Sequence, residues 1–410
     1  MRILFLTDNF PPEVNAPASR TFEHCREWVR TGHPVTVITG APNFPKGKLF
    51  PGYRNRLWQR ETLEGIEVVR VWTYIAANQG FAKRTLDYLS FMVASFLAGL
   101  FQRRPDVIIG TSPQFFTNCA AWMLSVFRWR PFVFELRDLW PESIKTVGAM
   151  RDSAAIRLLE RLELFLYRRA KVVVAVTESF RRNLTARGID PQKIAVITNG
   201  VDLSRFQPQA RDPELAERFG LTGQFVLGYI GTHGMAHALE TLLDAAARIQ
   251  ALPEGARIRF VLLGDEARKQ ALKARAEQMG LDNVLFLDTV PKAEVPRYWS
   301  LLDVSIIHLR KADNFTQVIP SKLFECMGMG IPVLHGVTGE SAGIVEREGV
   351  GLVFEPENVD ALCNGILRLA RDRNLYERLR TQCLEAAPRY DRIARAQEML
   401  VLLERVAATT

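Results

Sequence analysis

The sequence lacks the patterns that mark several classes of protein. Its five cysteines are scattered and include no Cys-x-x-Cys pair, so we expect buried, reduced thiols and neither a disulfide framework nor a zinc knuckle. It has no Asp-x-Asp motif and its six histidines show no ligand spacing, so we expect no metal and no cofactor. No tandem short repeat appears, which excludes a solenoid. The first residues, MRILFLTDNF, have no long apolar run before Asp8, which predicts a strand and not a signal peptide.

The composition is that of a folded protein with more than one core. The 410 residues are 48% hydrophobic and 24% charged, which is typical of two globular domains. The net charge of +8 favours anionic partners such as phosphates, nucleotides or acidic lipids, although a basic surface without function explains it equally well. No nucleic-acid motif is present, so we expect no nucleic-acid partner.

Short apolar runs alternate with helical patterns along nearly the whole chain. This alternation predicts βαβ units and parallel sheets, that is, an α/β protein with two Rossmann-like doubly wound domains facing a central cleft. Helices are expected near 19–31, 82–102, 114–127, 153–170 and 178–187 in the first half, and between the strands of the second. The predicted strands are 3–6, 35–39, 67–71, 107–110, 132–136, 172–176, 194–198, 225–230, 258–263, 284–287, 304–308, 333–334 and 352–354.

The turn-prone stretch 198–202 (TNGVD) predicts the domain junction. We assign residues 1–199 to a first Rossmann-like domain and residues 200–380 to a second. Residues 381–410 are expected to form a helix that packs back on the first domain.

Two loops of the second half are candidates for phosphate binding. Gly231, Thr232 and His233 follow a strand and precede a helix expected near 237–250, where small residues let backbone amides approach an anion. Asp265 follows the next strand, so both loops are expected at one edge of the sheet. Glycine used only for turn geometry is an equally common explanation.

The stretch 317–334 is the most informative in the sequence. Pro320 and Ser321 predict the start of a short helix whose first-turn amides, with the Lys322 ammonium, suit a diphosphate. Glu325 lies one turn further, where a carboxylate can accept hydrogen bonds from sugar hydroxyls. The alternative is a capped, buried helix with a solvated lysine, which would leave an inward carboxylate without a partner.

Residues 86–101 (LDYLSFMVASFLAGLF) are apolar with basic flanks at 83–84 and 103–104. Sixteen residues with one acid are short for a membrane span. The segment predicts either an interfacial helix or a buried crossover helix, and the two alternatives have equal support.

The ordered set of motifs resembles the retaining GT-B-fold glycosyltransferases of the glycosyl transferases group 1 family (family 4). Within that family it is most similar to the bacterial O-antigen and capsule branch of fucosaminyl-type transferases. The motifs are 10–13 (FPPE), 16–20 (APASR), 32–37 (GHPVTV), 137–143 (RDLWPES), 231–237 (GTHGMAH), 320–325 (PSKLFE) and 339–342 (GESA).

The resemblance implies a UDP-sugar donor on the second domain, with an N-acetylated amino or deoxyamino hexose as the sugar. It implies a lipid-linked saccharide acceptor, such as an undecaprenyl-diphosphate-linked one, on the first domain. The enzyme (EC 2.4 class) would then act in bacterial surface polysaccharide synthesis as a cytoplasmic, peripheral protein of the inner leaflet of the cytoplasmic membrane. Alternatives are a nucleotide-sugar 2-epimerase and an inactive sugar-nucleotide-binding homologue.

The resemblance also assigns residues. Glu325 matches the second acid of the family's Glu-x7-Glu motif, while Gln317 replaces the first, and Thr232 and His237 replace the usual Arg and Lys. Lys322 must therefore carry more of the diphosphate charge. The donor-binding set is Gly231, Thr232, His233, His237, Asp265, Gln317, Ser321, Lys322, Leu323 and Glu325.

In the first domain, Arg137 stands where the family commonly has a histidine. Arg137, Asp138 and Lys322 are the catalytic candidates. Asn15 and Ala16 replace the family's paired glycines. The predicted acceptor side is Glu13, Asn15, Ala16, Arg20 and Glu142. Glu13, Glu142 and the catalytic candidate Asp138 could each instead be a structural cap.

Overall fold

The computed structural model describes residues 1–13, 15–44, 47–75, 81–139 and 154–409. The chain forms two compact units, Met1–Thr198 with Arg392–Thr410, and Asn199–Asp391. Both are α/β with parallel sheets, which confirms the predicted fold class. The predicted acceptor residue Glu142 lies outside the described residues. All five cysteines are free and buried, as expected.

The first unit is built on an eight-stranded sheet in the order β3-β4-β2-β1-β5-β6-β7-β8. Every pairing is parallel except that of β3 with β4, which is antiparallel. The strands are β1 (Ile3–Leu6), β2 (Val35–Gly40), β3 (Trp58–Leu63), β4 (Ile66–Val71), β5 (Val107–Thr111), β6 (Phe132–Leu136), β7 (Val172–Ala175) and β8 (Ile194–Val196). The sequence did not predict β3, because its residues are mostly polar and alternate between exposed and half-buried positions at the sheet edge.

Side chains alternate across this sheet and feed two apolar layers. Leu4 and Leu6 of β1 pack on one side, and Ile3 and Phe5 pack on the other. Helices cover both layers, as a buried parallel sheet requires. They are α1 (Ala16–Arg30), α2 (Phe81–Leu100), α3 (Phe115–Arg128), α4 (Ala154–Arg169) and α5 (Glu178–Ala186).

The second unit is built on a six-stranded parallel sheet in the order β11-β10-β9-β12-β13-β14. Its strands are β9 (Phe225–Ile230), β10 (Ile258–Leu263), β11 (Val284–Leu287), β12 (Val304–His308), β13 (Val333–Gly336) and β14 (Gly351–Val353). Its helices are α6 (Pro213–Arg218), α7 (Glu240–Gln250), α8 (Lys269–Gln278), α9 (Val295–Trp299), α10 (Lys322–Met329), α11 (Glu340–Glu348), α12 (Val359–Arg371) and α13 (Arg373–Ala386).

The second unit extends beyond its predicted end at residue 380. Leu379 and Cys383 of α13 are buried in its core, so the chain leaves this unit only at Asp391. The last helix, α14 (Arg392–Ala408), then packs on α1 of the first unit. The indole of Trp28 donates a hydrogen bond of 2.8 Å to the carbonyl of Ala396 and anchors this return.

Helix α2 contains the apolar segment 86–101 and has two different faces. Phe91, Ser95 and Ala98 are buried against the unit, whereas Leu86 and Val93 are exposed. The segment is thus a crossover helix whose outer face remains apolar. In the described part of the chain, no helix combines the length and the hydropathy needed to cross a membrane.

Candidate functional site

The loop that follows β9 brings its backbone against an ammonium group. Gly231 has φ +150°, and a Cβ at this position would lie 2.7 Å from Lys322 Nζ. Glycine adopts this φ without strain, and a Cβ here would have to displace the ammonium at the end of the flexible lysine side chain. The Gly231 amide donates to the Leu263 carbonyl at 2.9 Å, which ties the loop to the end of β10.

Lys322 lies over an aromatic ring and forms no ion pair with any residue that the structure describes. Its Nζ is 3.7 Å from the centroid of the Tyr229 ring, and the Tyr229 hydroxyl donates to the Thr232 carbonyl at 2.8 Å. Burial lowers the pKa of Lys322 to about 8, and Cys326 and Glu325 only partly oppose that shift. Among the described residues no group accepts a hydrogen bond from the ammonium. A cation held in this way is available for an anionic ligand.

The helix end at residue 321 offers fewer free amides than the sequence suggested. The amides of Leu323, Phe324 and Glu325 donate to the carbonyls of Pro320 and Ser321 at 3.0–3.4 Å. The Ser321 side chain does not cap α10. Within the described residues, the amides of Ser321 and Lys322 have no acceptor, and they are the donors left for a ligand. The predicted role of Leu323 is corrected, because its side chain is fully buried in the core and its amide is engaged.

The loops after β9 and β10 meet, and His233 lies between them. Its amide donates to the Asp265 carbonyl at 3.0 Å, and its ring is fully buried. Burial, reinforced by Lys269 and Lys322, lowers the pKa of His233 to about 4, so the ring is neutral at pH 7. Neither ring nitrogen has a partner among the described residues. The Asp265 side chain is exposed and accepts from the Glu266 amide at 3.0 Å.

Thr232 and His237 stand at the positions where the family resemblance implies an arginine and a lysine. His237 Nε2 and Thr232 Oγ1 are 2.8 Å apart, and the other ring nitrogen faces the His308 carbonyl at 3.4 Å. Burial, with Lys322 adding to it, lowers the pKa of His237 to about 3. This pair therefore supplies hydrogen bonds and no charge at pH 7. The helix expected from 237 begins at Glu240, after a 3-10 turn at Met235–His237.

Gln317 ends a short 3-10 turn, Asp313–Gln317, that precedes α10. Its Oε1 is buried and has no partner within the described residues. A buried amide oxygen without a donor costs free energy of about 1–3 kcal/mol, which a ligand hydroxyl would relieve. Glu325 is half-buried on α10 and makes polar contacts of its own.

In the first unit, Arg137 and Asp138 follow β6, and their amides donate to Ser112 Oγ at 2.7 and 3.3 Å. The Arg137 guanidinium donates to the carbonyls of Ala16 and Pro17 at 3.1 Å. Burial lowers the pKa of Arg137 to about 10, so it stays charged at pH 7. Arg137 thus holds the start of α1 at the carboxyl edge of the sheet.

Two of the predicted acceptor residues are structural. Arg20 is buried, pairs with Glu135 at 3.0 Å and donates to the carbonyls of Ile197 and Thr198. The buried Glu13 carboxylate accepts amides of its own loop and of the loop at 43–44. Their polar atoms are used inside the unit, so we correct the assignment of Arg20, and Glu13 has the structural role that the sequence left open as its alternative.

Asn15 also has a local role. Its Oδ1 accepts from the Ala18 amide at 2.8 Å and caps α1, while its Nδ2 donates to Asn9 Oδ1 at 2.7 Å. Ala16 begins the helix and offers its carbonyl to Arg137.

The sequence analysis missed Asp8 as a functional candidate. It follows β1, a central strand, at the edge where parallel sheets bind ligands. Burial, with the charges of Asp87 and Glu13, raises the pKa of Asp8 to about 8. The sequence offered one signal for Asp8 as a candidate, namely that it is the first acidic residue after the first predicted strand.

Two doubly wound units, one with a half-buried cation and a glycine loop at its strand edge, are the features of the GT-B fold. Comparison with known families agrees, since residues 15–200 match the Glycosyl transferase 4-like domain and residues 224–372 match Glycosyl transferases group 1. The chain is a glycosyltransferase whose two halves match these two domain families. The predicted enzyme class and the similarity to group 1 are thereby confirmed, whereas the retaining mechanism and the fucosaminyl-type branch remain predictions.

Individual relatives have names of the same kind. The chain is 26% identical over 378 residues to the putative colanic acid biosynthesis glycosyl transferase WcaI of Escherichia coli, covering 89% of this chain and 91% of that one. It is 25% identical to a GDP-mannose-dependent alpha-mannosyltransferase of Mycobacterium tuberculosis, covering 92% of this chain and 90% of that one. Anabaena Alr3699/HepE, solved with UDP-glucose, has the same fold (TM-score 0.72, 18% identity, 99% and 100% coverage).

Proposed function

We propose that the protein is a retaining, metal-independent glycosyltransferase that moves a sugar from a UDP-sugar to a lipid-linked saccharide in bacterial surface polysaccharide synthesis. The observation that carries this proposal is the Lys322 ammonium, which lies against the Gly231 loop and has no anionic partner in the described part of the chain. The predicted sugar is an N-acetylated amino or deoxyamino hexose. The colanic acid name of one relative supports polysaccharide synthesis.

The second unit would hold the donor. The diphosphate would accept from Lys322 and from the amides of Ser321 and Lys322, with neutral His237 as a further hydrogen-bonding group. Gln317 Oε1, for which the described residues supply no donor, would accept from a hydroxyl, and Glu325 would bind the ribose. The UDP-glucose complex of HepE favours uridine, while the mannosyltransferase relative uses a guanosine donor, so both nucleotides belong in the test.

In the reaction, the bond between the anomeric carbon and the diphosphate oxygen breaks as the acceptor oxygen attacks from the same face. The acceptor's proton passes to the departing phosphate oxygen, so no dedicated base is needed. Lys322 and the two amides stabilise the charge that develops on the leaving group. The role of the protein is therefore to position the reactants and to neutralise charge.

The first unit would hold the acceptor near Asp138 and Arg137. We place the enzyme on the inner leaflet of the cytoplasmic membrane as a peripheral protein, because the outer face of α2 is apolar and exposed. An acceptor carried on undecaprenyl diphosphate would be met there.

The test is incubation with radiolabelled UDP- and GDP-sugars and washed bacterial membranes, followed by organic extraction. Label transferred to the lipid fraction from a UDP-N-acetylhexosamine or its deoxy relative is the expected result, and Lys322→Ala should abolish it. An epimerised donor would establish the 2-epimerase alternative, and binding without turnover would establish an inactive homologue. Transfer only from GDP-sugars would correct the donor.

A further inference from the structure

Exposed apolar side chains form a stripe along the outer face of α2. Leu86, Val93 and Leu97 are 50%, 51% and 50% exposed, and Phe101, just after the helix, is 74% exposed. Their spacings of seven, four and four residues place them on one side of a helix. The opposite side, with Phe91 and Ala98, is buried. The stripe is thus additional to what the fold needs.

Two further elements extend the stripe at the end of α2. The Phe96 and Phe127 rings are edge-to-face at 5.5 Å, which joins the end of α3 to α2. The rings of Phe101 and of Trp58, which lies on the edge strand β3, are edge-to-face with their centroids 6.3 Å apart. The aromatic–basic face, as we name it, comprises residues 54–60, 97–105 and 126–130.

Backbone contacts fix this face in place. The Arg128 guanidinium donates to the carbonyls of Gly99, Leu100 and Gln102 at 2.5–3.2 Å and so closes the end of α2. Phe127 and Trp129 nevertheless remain 67% and 81% exposed. Large rings held outward in an ordered region indicate a surface that contacts something.

The charge of this face is of one sign. Its three segments contain no acid, in a chain whose net charge is +8. The Arg60 guanidinium carbon lies 5.4 Å from the centroid of the Trp58 ring. Arg60 Nη1 is 3.5 Å from Glu67 Oε1, a long ion pair. The arginines are Arg54, Arg56, Arg60, Arg103, Arg104, Arg128 and Arg130.

We propose that the aromatic–basic face docks on an anionic phospholipid bilayer, with its rings at headgroup depth and its arginines other than Arg128 on lipid phosphates. Exposed aromatic rings beside arginines suit the interface of a membrane, where one end of each group is apolar and the other wet. Anionic lipid attracts each basic residue near its surface. A second copy is disfavoured, because two such faces would oppose arginine to arginine. The proposal specifies which surface makes the peripheral membrane contact given above. It rests on the proposed function only in one respect, namely the use of that contact to reach a lipid-linked acceptor.

The test is flotation of the full chain with phosphatidylglycerol-containing vesicles and with pure phosphatidylcholine vesicles. Wild type should float with the anionic vesicles and be released by high salt. The variant Phe101→Ser with Trp129→Ser should lower the partition coefficient at least about tenfold. Its matched control, Leu252→Ser with Val401→Ser, removes exposed apolar side chains elsewhere and should float like wild type.

A charge pair of variants completes the design. Arg103→Glu with Arg104→Glu should lower partitioning by more than tenfold, since each arginine contributes about fivefold near an anionic surface. Arg257→Glu with Arg378→Glu makes the same change in net charge on the second unit and should have little effect. Equal flotation of the face variants and wild type would overturn the proposal. So would an absence of vesicle binding, or self-association in sedimentation that Phe101→Ser with Trp129→Ser abolishes.

UDP affinity separates this proposal from the proposed function. The face variants should bind UDP like wild type, and Lys322→Ala should float normally. Flotation as predicted without sugar transfer would remove the proposed function and leave the docking face standing.

Discussion

The Lys322 ammonium lies 3.7 Å from the centroid of the Tyr229 ring, so one aromatic side chain from β9 supports the cation at the start of α10. The ring face attracts the ammonium without neutralising it. The Tyr229 hydroxyl also donates to the Thr232 carbonyl, so the residue fixes both the cation and the glycine loop beside it.

Donor affinity should depend on pH through Lys322. Burial lowers the pKa of this lysine to about 8, so the ammonium is charged at pH 7 and is lost as the pH rises through 8. UDP affinity should fall above pH 8 by up to about tenfold per pH unit, because a bound diphosphate favours the charged form. Calorimetric titration with UDP from pH 6.5 to 9.5 measures the slope.

The matched variant for this prediction is Lys322→Arg, whose guanidinium stays charged throughout that range. Its affinity profile should be flat above pH 8. If the UDP affinity of the wild type is as independent of pH as that of the arginine variant, Lys322 does not control the pH dependence of donor binding.

Tyr229 can be dissected with two substitutions. Tyr229→Phe keeps the ring and loses the hydroxyl, so UDP affinity should change by less than about 1 kcal/mol. Tyr229→Leu also removes the cation–π contact, and affinity should fall by a further ~0.5–2 kcal/mol. Calorimetry at pH 7 measures both, with thermal unfolding as the check on folding. Equal affinity of the two variants would show that the ring does not position Lys322.

Gly231→Ala should damage the site more than the fold. The added Cβ would lie 2.7 Å from Lys322 Nζ at a backbone φ of +150°, which costs about 1–3 kcal/mol where the loop must keep its shape. We expect UDP affinity to fall by about tenfold or more. Gly343→Ala is the control, because a Cβ there meets no atom within 4 Å and alanine favours the helix α11. A Gly231→Ala protein with wild-type affinity would show that the loop does not contact the donor.

Asp8 should make stability fall as the pH rises. Its pKa is about 8 in the folded state, against 3.8 for an ordinary aspartate, so between these values the folded state binds more protons than the unfolded state. The free energy of unfolding therefore decreases from about pH 4 to pH 8. Asp8→Asn removes this loss and should gain at least about 1 kcal/mol over wild type at pH 9, with a smaller difference at pH 4. Urea unfolding at the two pH values measures it, and a difference independent of pH would refute the assignment.

The sequence predicted those elements whose pattern is local. Apolar runs such as 225–230 and 258–263 are buried strands of a parallel sheet, and their order along the chain determined the class of fold. The sequence did not predict the strand β3, because a polar edge strand is defined by its pairing with β4 and not by a periodicity of its own.

The site was predictable only in part, because side-chain partners are distant in sequence. The Lys322 motif was visible, but the ring that supports it is contributed by Tyr229 from another strand. Arg20 was assigned to the acceptor, since its partner Glu135 is separated from it by more than a hundred residues. Asp8 carried no motif, and its raised pKa arises from burial and from neighbours such as Asp87.

The most direct test of the account is calorimetric titration of the full chain with UDP at pH 7, comparing wild type with Lys322→Ala. The surface variant Arg378→Ala serves as the control and should bind like wild type. Loss of a charged hydrogen bond should weaken UDP binding to Lys322→Ala by about 1.5–3 kcal/mol. Unchanged UDP affinity in a folded Lys322→Ala protein would contradict the assignment of the donor diphosphate to this helix end.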